Sequence, residues 1–298
     1  MNEISSIGIY AVNFYTLGVP HTVIVDDYLP LDKDDSGTIY AKVGADGAIW
    51  GPILEKAFAK LHGSYNHITS GDPSLAIRTI YGAPYKKATH ADYANNLGGL
   101  WAFLKEGDDS RDIMTCGTSG SNHFTQNAVG LANGHAYTVQ GVKEVTDAQG
   151  TKTQLVRLRN PWGAEQYKGP WCDSCDEWTA ETEAQAGLMR ANDGVFFVPL
   201  DVFQKNVAYS LRNHNMDNLK RNSHLILNDY NNTPGITPWC GAKCSRHEYV
   251  LKSDTEQRVW LKAMTWEERA YPKKCISQAR NRSGAEGIKG HVLYLTGG

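Results

Sequence analysis

Two short motifs contain the residues of this sequence whose types could do acid–base chemistry. GHAYTV at 134–139 supplies the imidazole of His135, and LRNPWG at 158–163 supplies the amide of Asn160. An imidazole can accept the proton of an attacking thiol and later return a proton to a leaving amine. An amide oxygen can hold that imidazole in one tautomer, and the indole of Trp162 can keep water away from their hydrogen bond.

Each motif alone is weak evidence for a site, because a single histidine in a strand is usually structural and Asn-Pro usually marks a turn. Their order makes the pair more specific. Both motifs lie in β-like runs, and the segment AQG at 148–150 between them is typical of a hairpin turn. A hairpin would place the two strands side by side and bring His135 and Asn160 together at one end of a sheet.

The elements that must position this pair follow from the hydrophobic pattern. Two β-like runs at 7–15 and 21–26 predict a first hairpin. Apolar periodicity predicts helices, at 50–62, about 72–79, about 91–105 and 199–206. The later apolar runs predict strands, at 112–117, 135–145, 153–159, 194–198 and 207–213. Helices followed by mostly antiparallel strands predict an α+β fold.

Composition excludes several classes of function. The 298 residues are 41% hydrophobic and 21% charged, so the chain can bury a core. The net charge of -2 and the lack of a basic block argue against nucleic acid as a partner. No apolar run approaches the ~20 residues of a membrane span. The first residues lack a basic segment followed by an apolar run, so we expect no signal peptide and a cytoplasmic location.

The six cysteines include two close pairs, Cys172 with Cys175 and Cys240 with Cys244. Four thiolates could bind zinc, but structural zinc sites usually have tighter spacing between their two pairs. A reducing compartment would keep the sulfurs as thiols. We therefore expect buried or incidental thiols and no zinc.

Several further segments resemble the calpain family of cysteine proteases. They are VIVDDYLP, WGPILEKAFAKLHGSY, KGPWCDSCDEW and NDGVFF, and they occur in the family's order. Together with the two motifs they cover roughly 7–213. The resemblance implies a papain-like protease core with its substrate cleft between two lobes. It also implies that His135 is the general base, that Asn160 orients its ring, and that Gly134 and Trp162 line the cleft.

The resemblance also predicts how the chain divides into domains. Residues 1–213 would be the His/Asn lobe of the protease core, a papain-like lobe of helices and antiparallel sheet. The polar stretch at 214–222 would be a boundary, and 222–298 contains short β-like runs separated by Gly, Pro and Asn. That pattern is typical of a β-sandwich, and its length predicts a partial or minimal one.

The nucleophile is where this sequence departs from the family. Calpains have a Gly-Asp-Cys-Trp segment at the start of a helix in the preceding lobe, and residues 1–115 contain no cysteine. Cys116 lies in a predicted strand, so we do not expect it to replace that thiol. The chain is then expected to be inactive alone, and to act on proteins or peptides only when a nucleophile lobe completes it. The alternative is a pseudoprotease, a binding, scaffolding or structural subunit of a larger assembly, whose exposed cleft face a partner protein covers.

Calcium is the cofactor that the resemblance implies. Calpain protease lobes bind calcium through carboxylates that follow the Asn-Pro-Trp-Gly motif, and Asp173 and Asp193 match two such positions. Gln166 and Val195 stand where the family usually has carboxylates. Because calcium needs 6–8 oxygen ligands, several of them charged, we expect a weakened site. The alternative is that both aspartates are ordinary loop and turn residues.

Overall fold

A computed structural model of the chain describes residues 7–16, 19–34 and 37–217. These residues fall into two compact units, one ending at Thr69 and the other beginning at Ser70. The β-sandwich predicted at 222–298 lies outside the described residues, so the domain assignment stays a prediction. Within the described part of the chain, no helix is long and apolar enough to cross a membrane.

The first unit is a hairpin with one helix packed on it. Strands β1 (Ile9–Thr16) and β2 (Val19–Asp26) pair antiparallel, as their β-branched and aromatic runs predict. Helix α1 (Trp50–Leu61) follows, and a single 3₁₀ turn covers Tyr65–His67. Alternate strand residues and one face of α1 form a shared cluster: Tyr10, Val12, Phe14, Val23, Val25, Ile53 and Ala57.

The second unit supplies a six-stranded antiparallel sheet. Its strands are β3 (Tyr85–Thr89), β4 (Ile113–Gly117), β5 (Ala136–Thr146), β6 (Lys152–Arg159), β7 (Val195–Pro199) and β8 (Tyr209–Asn213). The order across the sheet is β3-β8-β4-β5-β6-β7. The hairpin predicted between the two motifs is the β5–β6 pair, closed by a turn in which Asp147 N donates to Thr151 O at 3.0 Å. This pairing brings the motifs together.

Helices cover the sheet of the second unit. They are α2 (Pro73–Tyr81), a 3₁₀ turn (His90–Tyr93), α3 (Leu97–Asp109), α4 (Ala180–Ala186) and α5 (Leu200–Asn206). Leu100 and Leu104 of α3 and Phe203 of α5 are fully buried in the same cluster as Val139 and Leu158 of the sheet. Helices α3 and α5 therefore close the main core, and the α+β fold predicted from the sequence is confirmed.

Local chemistry explains where the structure departs from the predicted elements. The helix predicted at 91–105 starts only at Leu97, because the Asn96 side chain accepts a hydrogen bond from Gly99 N at 2.9 Å and caps it. Strand β3 was missed because Ala88 is its only buried residue. Helix α4 was missed because its stability comes from a cap, in which Thr182 N donates to the Thr179 hydroxyl.

A buried histidine makes the stability of this fold sensitive to acid. His90 is 1% exposed, its Nε2 lies 2.9 Å from Ser210 Oγ, and its ring packs 4.8 Å from that of Phe203. Burial lowers the pKa of His90 from 6.5 to about 4, because the charged ring would lose its hydration. The unfolded chain then binds a proton that the folded chain does not. Stability is fully present above pH 6.5 and falls as the pH drops towards 4.

We expect this effect in urea denaturation at pH 7 and pH 5. When the pH falls from 7 to 5, the unfolding free energy of the wild type should drop by about 2 kcal/mol more than that of the His90→Gln variant. His123→Gln, which changes an exposed ring, is the matched control and should lose as much as the wild type. Equal losses in all three proteins would contradict a neutral, buried His90.

Candidate active site

His135 is fixed by main-chain contacts at the start of β5. Its backbone N donates to Thr118 Oγ1 at 3.0 Å, and Thr118 N donates to His135 O at 3.0 Å. Thr118 directly follows β4, so the sheet ladder sets the position of the imidazole. Gly134 beside it has φ of +56°, and a Cβ there would lie 2.6 Å from Gly120 O. Only glycine allows the main chain at 134 to lie this close to the main chain at 120.

Asn160 follows β6 and meets the imidazole. His135 Nε2 lies 3.0 Å from Asn160 Oδ1, and Asn160 is 1% exposed. Two further contacts orient the amide: Trp162 N donates to Oδ1 at 3.1 Å, and Asn160 Nδ2 donates to Ala164 O at 3.2 Å. Because the amide oxygen faces the ring, His135 Nε2 carries the hydrogen and Nδ1 keeps the lone pair. The free base therefore sits at Nδ1.

The environment of His135 favours the neutral ring. The half-buried position lowers the pKa of His135 below its ordinary value, since burial penalises the charged form. The hydrogen bond to Asn160 acts in the opposite direction, and the nearby His123 adds a smaller lowering. A neutral imidazole at pH 7 is the state that a general base requires.

Aromatic side chains form one side of the site. The Trp162 ring lies 4.2 Å from the His135 ring at a 37° tilt, and Tyr137 meets the same imidazole edge-on at 4.9 Å. Trp162 is 45% exposed and Phe124 is 87% exposed, and His123 lies against both. We call His123, Phe124 and Trp162 the aromatic face. It is open to solvent beside the His135–Asn160 pair.

The cysteines of the described residues offer no reactive thiol to this pair. Cys116 lies in β4 opposite Tyr137 and is fully buried, which raises the pKa of its thiol. A buried, protonated thiol is a poor nucleophile. Cys172 and Cys175 form a disulfide, so the expectation of thiols at these positions is wrong. Their Cα atoms are 5.0 Å apart, within the range that a disulfide spans.

A model described as "Calpain family cysteine protease" matches residues 1–210. This chain belongs to the calpain family. It is 34% identical to Calpain-14 of Homo sapiens over 199 residues, which are 66% of this chain and 28% of that protein. It is 29% identical to Calpain-A of Drosophila melanogaster over 248 residues, which are 77% of this chain and 29% of that protein. The chain thus spans less than a third of these calpains.

A crystal structure of SERA5E from Plasmodium falciparum shares a slight likeness with this calpain chain. The TM-score is 0.27 with 13% sequence identity, over 44% of this chain and 45% of that one. The fold class therefore rests on the observed helices and antiparallel sheet and on the match to the calpain family.

The calcium ligands predicted for this chain, Asp173 and Asp193, lie near Glu165, and we call these three carboxylates the acidic cluster. Asp173 is 8% exposed and its carboxylate oxygens are buried, with the Glu165 side chain and the Ala191 backbone as hydrogen-bonding neighbours. Burial raises the pKa of Asp173 above its ordinary value, and the charge of Asp193 adds to this. The Asp193 side chain accepts a hydrogen bond from Val195 N, which donates to its Oδ1 at 2.8 Å. A cation would neutralise the charge of a buried carboxylate that lies beside other carboxylates.

The sequence missed Glu165 in this acidic cluster. Burial first, and then the charge of Asp173, raise the pKa of Glu165 to about 7. The resemblance pointed to Gln166, one residue further on, whose Oε1 instead accepts from Gln126 Nε2 at 3.1 Å. A carboxylate adjacent to the expected position was the signal that could have identified Glu165.

The donor chemistry of the acidic cluster fits calcium better than its geometry does. Carboxylate oxygens are the ligands that calcium prefers. Within the described ranges, however, no three Asp, Glu, His or Cys side chains are arranged to hold a metal ion. Any ion held here would need side-chain movement and main-chain oxygens. It would neutralise the carboxylates of two loops that flank Asn160, and it would take no part in proton transfer.

Proposed function

We propose that this chain supplies the acid–base half of a calpain-type cysteine endopeptidase acting on protein or peptide substrates. One observation carries the proposal: His135 Nε2 lies 3.0 Å from Asn160 Oδ1, which leaves Nδ1 as the proton acceptor. The nucleophile would come from a lobe with a Gly-x-Cys-Trp segment. Membership of the calpain family supports this assignment of roles.

The residues would act in a fixed sequence of proton transfers. The incoming thiol gives its proton to His135 Nδ1, and the imidazolium that forms keeps its Nε2–H bond to Asn160. The thiolate attacks the scissile carbonyl, and His135 Nδ1 then protonates the leaving amine. Water gives a proton to the same nitrogen as it attacks the thioester, and the thiolate released when the C–S bond breaks takes that proton back. Trp162 limits the access of water to the Nε2–H bond throughout.

A first test of this proposal uses the chain without an added lobe. Residues 1–298 should show no turnover of a fluorogenic peptide in calcium, and an epoxide thiol trap should label no cysteine at the site. Addition or fusion of a calpain nucleophile lobe should produce turnover. Calcium-stimulated turnover by 1–298 alone, lost in His135→Ala, would instead mean that one of the six cysteines is the nucleophile.

A second candidate function is a pseudoprotease subunit that binds a partner protein. The observation that favours it is the exposed aromatic face, with Phe124 87% exposed. Solvent-exposed aromatic groups of this kind are common at docking sites. Absence of turnover after a nucleophile lobe has been added, together with partner binding that Phe124→Ser weakens, would favour this candidate.

We also propose a weak calcium site made by Glu165, Asp173 and Asp193. Folding raises the pKa of Glu165 from an ordinary 4.5 to about 7. The unfolded chain therefore loses this proton at a lower pH than the folded chain does, and the free energy of unfolding falls as the pH rises between these values. With a discount for its partial exposure, Glu165→Gln should raise the unfolding free energy at pH 8 without calcium by about 1 kcal/mol. Calcium should stabilise the wild type more than it stabilises this variant.

Chemical denaturation with and without calcium chloride measures both effects. Glu177→Gln is a matched control, because Glu177 is a nearby exposed glutamate. It should leave the stability and the calcium response of the wild type unchanged. An equal response to calcium in the wild type and both variants would contradict a role for Glu165.

A further inference from the structure

Tyr137 is a buried side chain in contact with the imidazole of the candidate site. It lies two residues after His135, and the two rings meet edge-on with their centroids 4.9 Å apart and an interplanar angle of 89°. Tyr137 is 2% exposed, whereas Trp162, the other ring in contact with His135, is 45% exposed. Because buried side chains are close-packed, Tyr137 is the more rigid of the two surfaces that confine the imidazole.

The central strands of the sheet hold the Tyr137 ring in place. Tyr137 pairs with Cys116 of β4, which is fully buried. Its ring also packs on Phe196 of β7, with the centroids 6.0 Å apart and the planes at 90°. Phe196 is 1% exposed. A ring packed among three strands of one sheet cannot swing away without opening the core, so the sheet itself sets the position of Tyr137.

The Tyr137 hydroxyl makes a second connection to His135, through the loop that precedes it. Ala132 is fully buried, and its backbone N donates to the hydroxyl oxygen at 2.8 Å. Thr118 Oγ1 donates to the Ala132 carbonyl at 2.6 Å and accepts from His135 N at 3.0 Å. Tyr137 is therefore joined to His135 twice, by its ring directly and by its hydroxyl through the main chain.

Tyr137 can orient the imidazole but cannot exchange protons with it. Burial raises the pKa of Tyr137 to about 12, because ionisation would leave a charge in the core. The hydroxyl is therefore neutral near pH 7, and its oxygen is already bonded to Ala132 N. This leaves Tyr137 a role in the position of His135 and none in proton transfer.

We propose that Tyr137 is a positioning residue that keeps the His135 imidazole turned towards Asn160. The ring limits rotation of the imidazole, and the hydroxyl fixes the loop from which His135 continues into β5. Loss of the hydroxyl would loosen that loop, because Ala132 N would be buried without its acceptor. The kinetic effect of Tyr137 rests on the proposed function, whereas the orientation of the ring is measurable in this chain alone.

NMR of the full chain with ¹⁵N-labelled histidine tests the orientation without any added lobe. The wild type should hold His135 in the tautomer with its hydrogen on Nε2, because Nε2 lies 3.0 Å from Asn160 Oδ1. In Tyr137→Phe the ratio of this tautomer to the other should fall about tenfold, the effect of weakening one hydrogen bond. The spectrum of His135→Ala assigns the resonances.

Tyr167→Phe is the matched control for loss of a buried hydroxyl. Tyr167 is 4% exposed, its ring stacks 5.3 Å from that of Phe196, and its hydroxyl donates to Pro170 O at 2.8 Å. Among the described contacts, none joins Tyr167 to His135. Both variants should therefore lose a similar amount of unfolding free energy, but Tyr167→Phe should keep the wild-type tautomer ratio.

The protease completed with a nucleophile lobe shows the kinetic effect. Tyr137→Phe should lower kcat about tenfold and leave KM within about twofold, because a misdirected imidazole slows proton transfer and leaves substrate binding intact. Tyr167→Phe should keep both constants near their wild-type values. A purely structural role for Tyr137 would affect the two variants alike.

The outcomes separate this proposal from the proposed function. A wild-type tautomer ratio in folded Tyr137→Phe overturns the positioning role, and so does an equal change in Tyr137→Phe and Tyr167→Phe. An altered ratio in Tyr137→Phe alone, with no turnover by the completed wild type, supports the positioning role and overturns the proposed proteolysis. If Tyr137→Phe does not fold, hydrogen exchange in the wild type decides: an Ala132 amide that exchanges as fast as an unprotected one overturns the hydroxyl tie, and a protected one supports it.

Discussion

Replacing Asp112 with alanine is expected to lower the free energy of unfolding by about 3–5 kcal/mol. The Asp112 side chain is 2% exposed, and its Oδ2 accepts hydrogen bonds from Arg212 Nε at 3.0 Å and Nη2 at 2.9 Å. Its Oδ1 accepts from Asn215 N at 3.0 Å. Arg212 is 1% exposed and cannot lose its proton, so the variant would leave a buried charge with too few partners.

In the Asp112→Ala variant, Arg212 would keep two contacts, and these limit the expected loss of unfolding free energy. Its Nη1 donates to Phe103 O at 2.9 Å and to Glu106 Oε2 at 2.8 Å. Glu106 is 45% exposed, so its charge is screened by water and compensates only in part. The double variant Asp112→Ala/Arg212→Met removes both buried charges and should recover much of the lost stability.

Urea denaturation with an exposed control measures this effect. Asp109 pairs with Lys105 on the surface of α3, with side chains 62% and 50% exposed. Asp109→Ala should therefore change the unfolding free energy by less than about 0.5 kcal/mol. A loss in Asp112→Ala no larger than that in Asp109→Ala would show that the buried pair does not hold the sheet together.

This pair also matters for the candidate site, because it fixes the strand that leads to it. Arg212 lies in β8, which pairs with β4, and Asp112 immediately precedes β4. Thr118 follows β4 and makes the main-chain contacts that hold His135. Stability and site geometry therefore depend on the same strand pairing.

The sequence predicted those elements whose hydrophobic pattern matches their surroundings. The first hairpin, α1 and the β5–β6 pair are half-buried, so their apolar residues recur with the period of the element. Strand β3 pairs on only one side and buries only Ala88, and α4 depends on its Thr179 cap. Such elements depend on neighbours distant in the chain, which periodicity does not reveal.

The sequence was enough to predict that His135 and Asn160 meet, but not which nitrogen of the His135 ring carries the hydrogen. Chain order and one turn were enough to bring His135 and Asn160 together, because hairpins join adjacent strands. The tautomer depends on Trp162 N and Ala164 O, and only the folded loop places these groups. The disulfide was missed because the expectation of thiols came from an assumed compartment, whereas the bond follows from local geometry.

The largest expected loss of activity is that of His135→Ala in the protease completed with a nucleophile lobe. General acid–base catalysis accounts for up to about 10⁴-fold of the rate, and His135 would perform every proton transfer, so kcat/KM should fall by about that factor. Asn160→Ala should have a smaller effect. It removes one hydrogen bond to the imidazolium, worth about 1.5–3 kcal/mol, which corresponds to about 10–100-fold.

Comparison of these variants separates a positioning role from a structural one. Asn133→Ala is the matched control, since Asn133 Nδ2 donates to Thr125 Oγ1 at 3.0 Å in the adjoining loop and makes no described contact with the imidazole. It should leave kcat/KM near the wild-type value, and circular dichroism should show all three variants folded at the assay temperature. If folded Asn160→Ala matched Asn133→Ala, the amide would not orient the ring. If folded His135→Ala kept its rate, the proton acceptor would be another group, and the proposed division of the site between two lobes would be wrong.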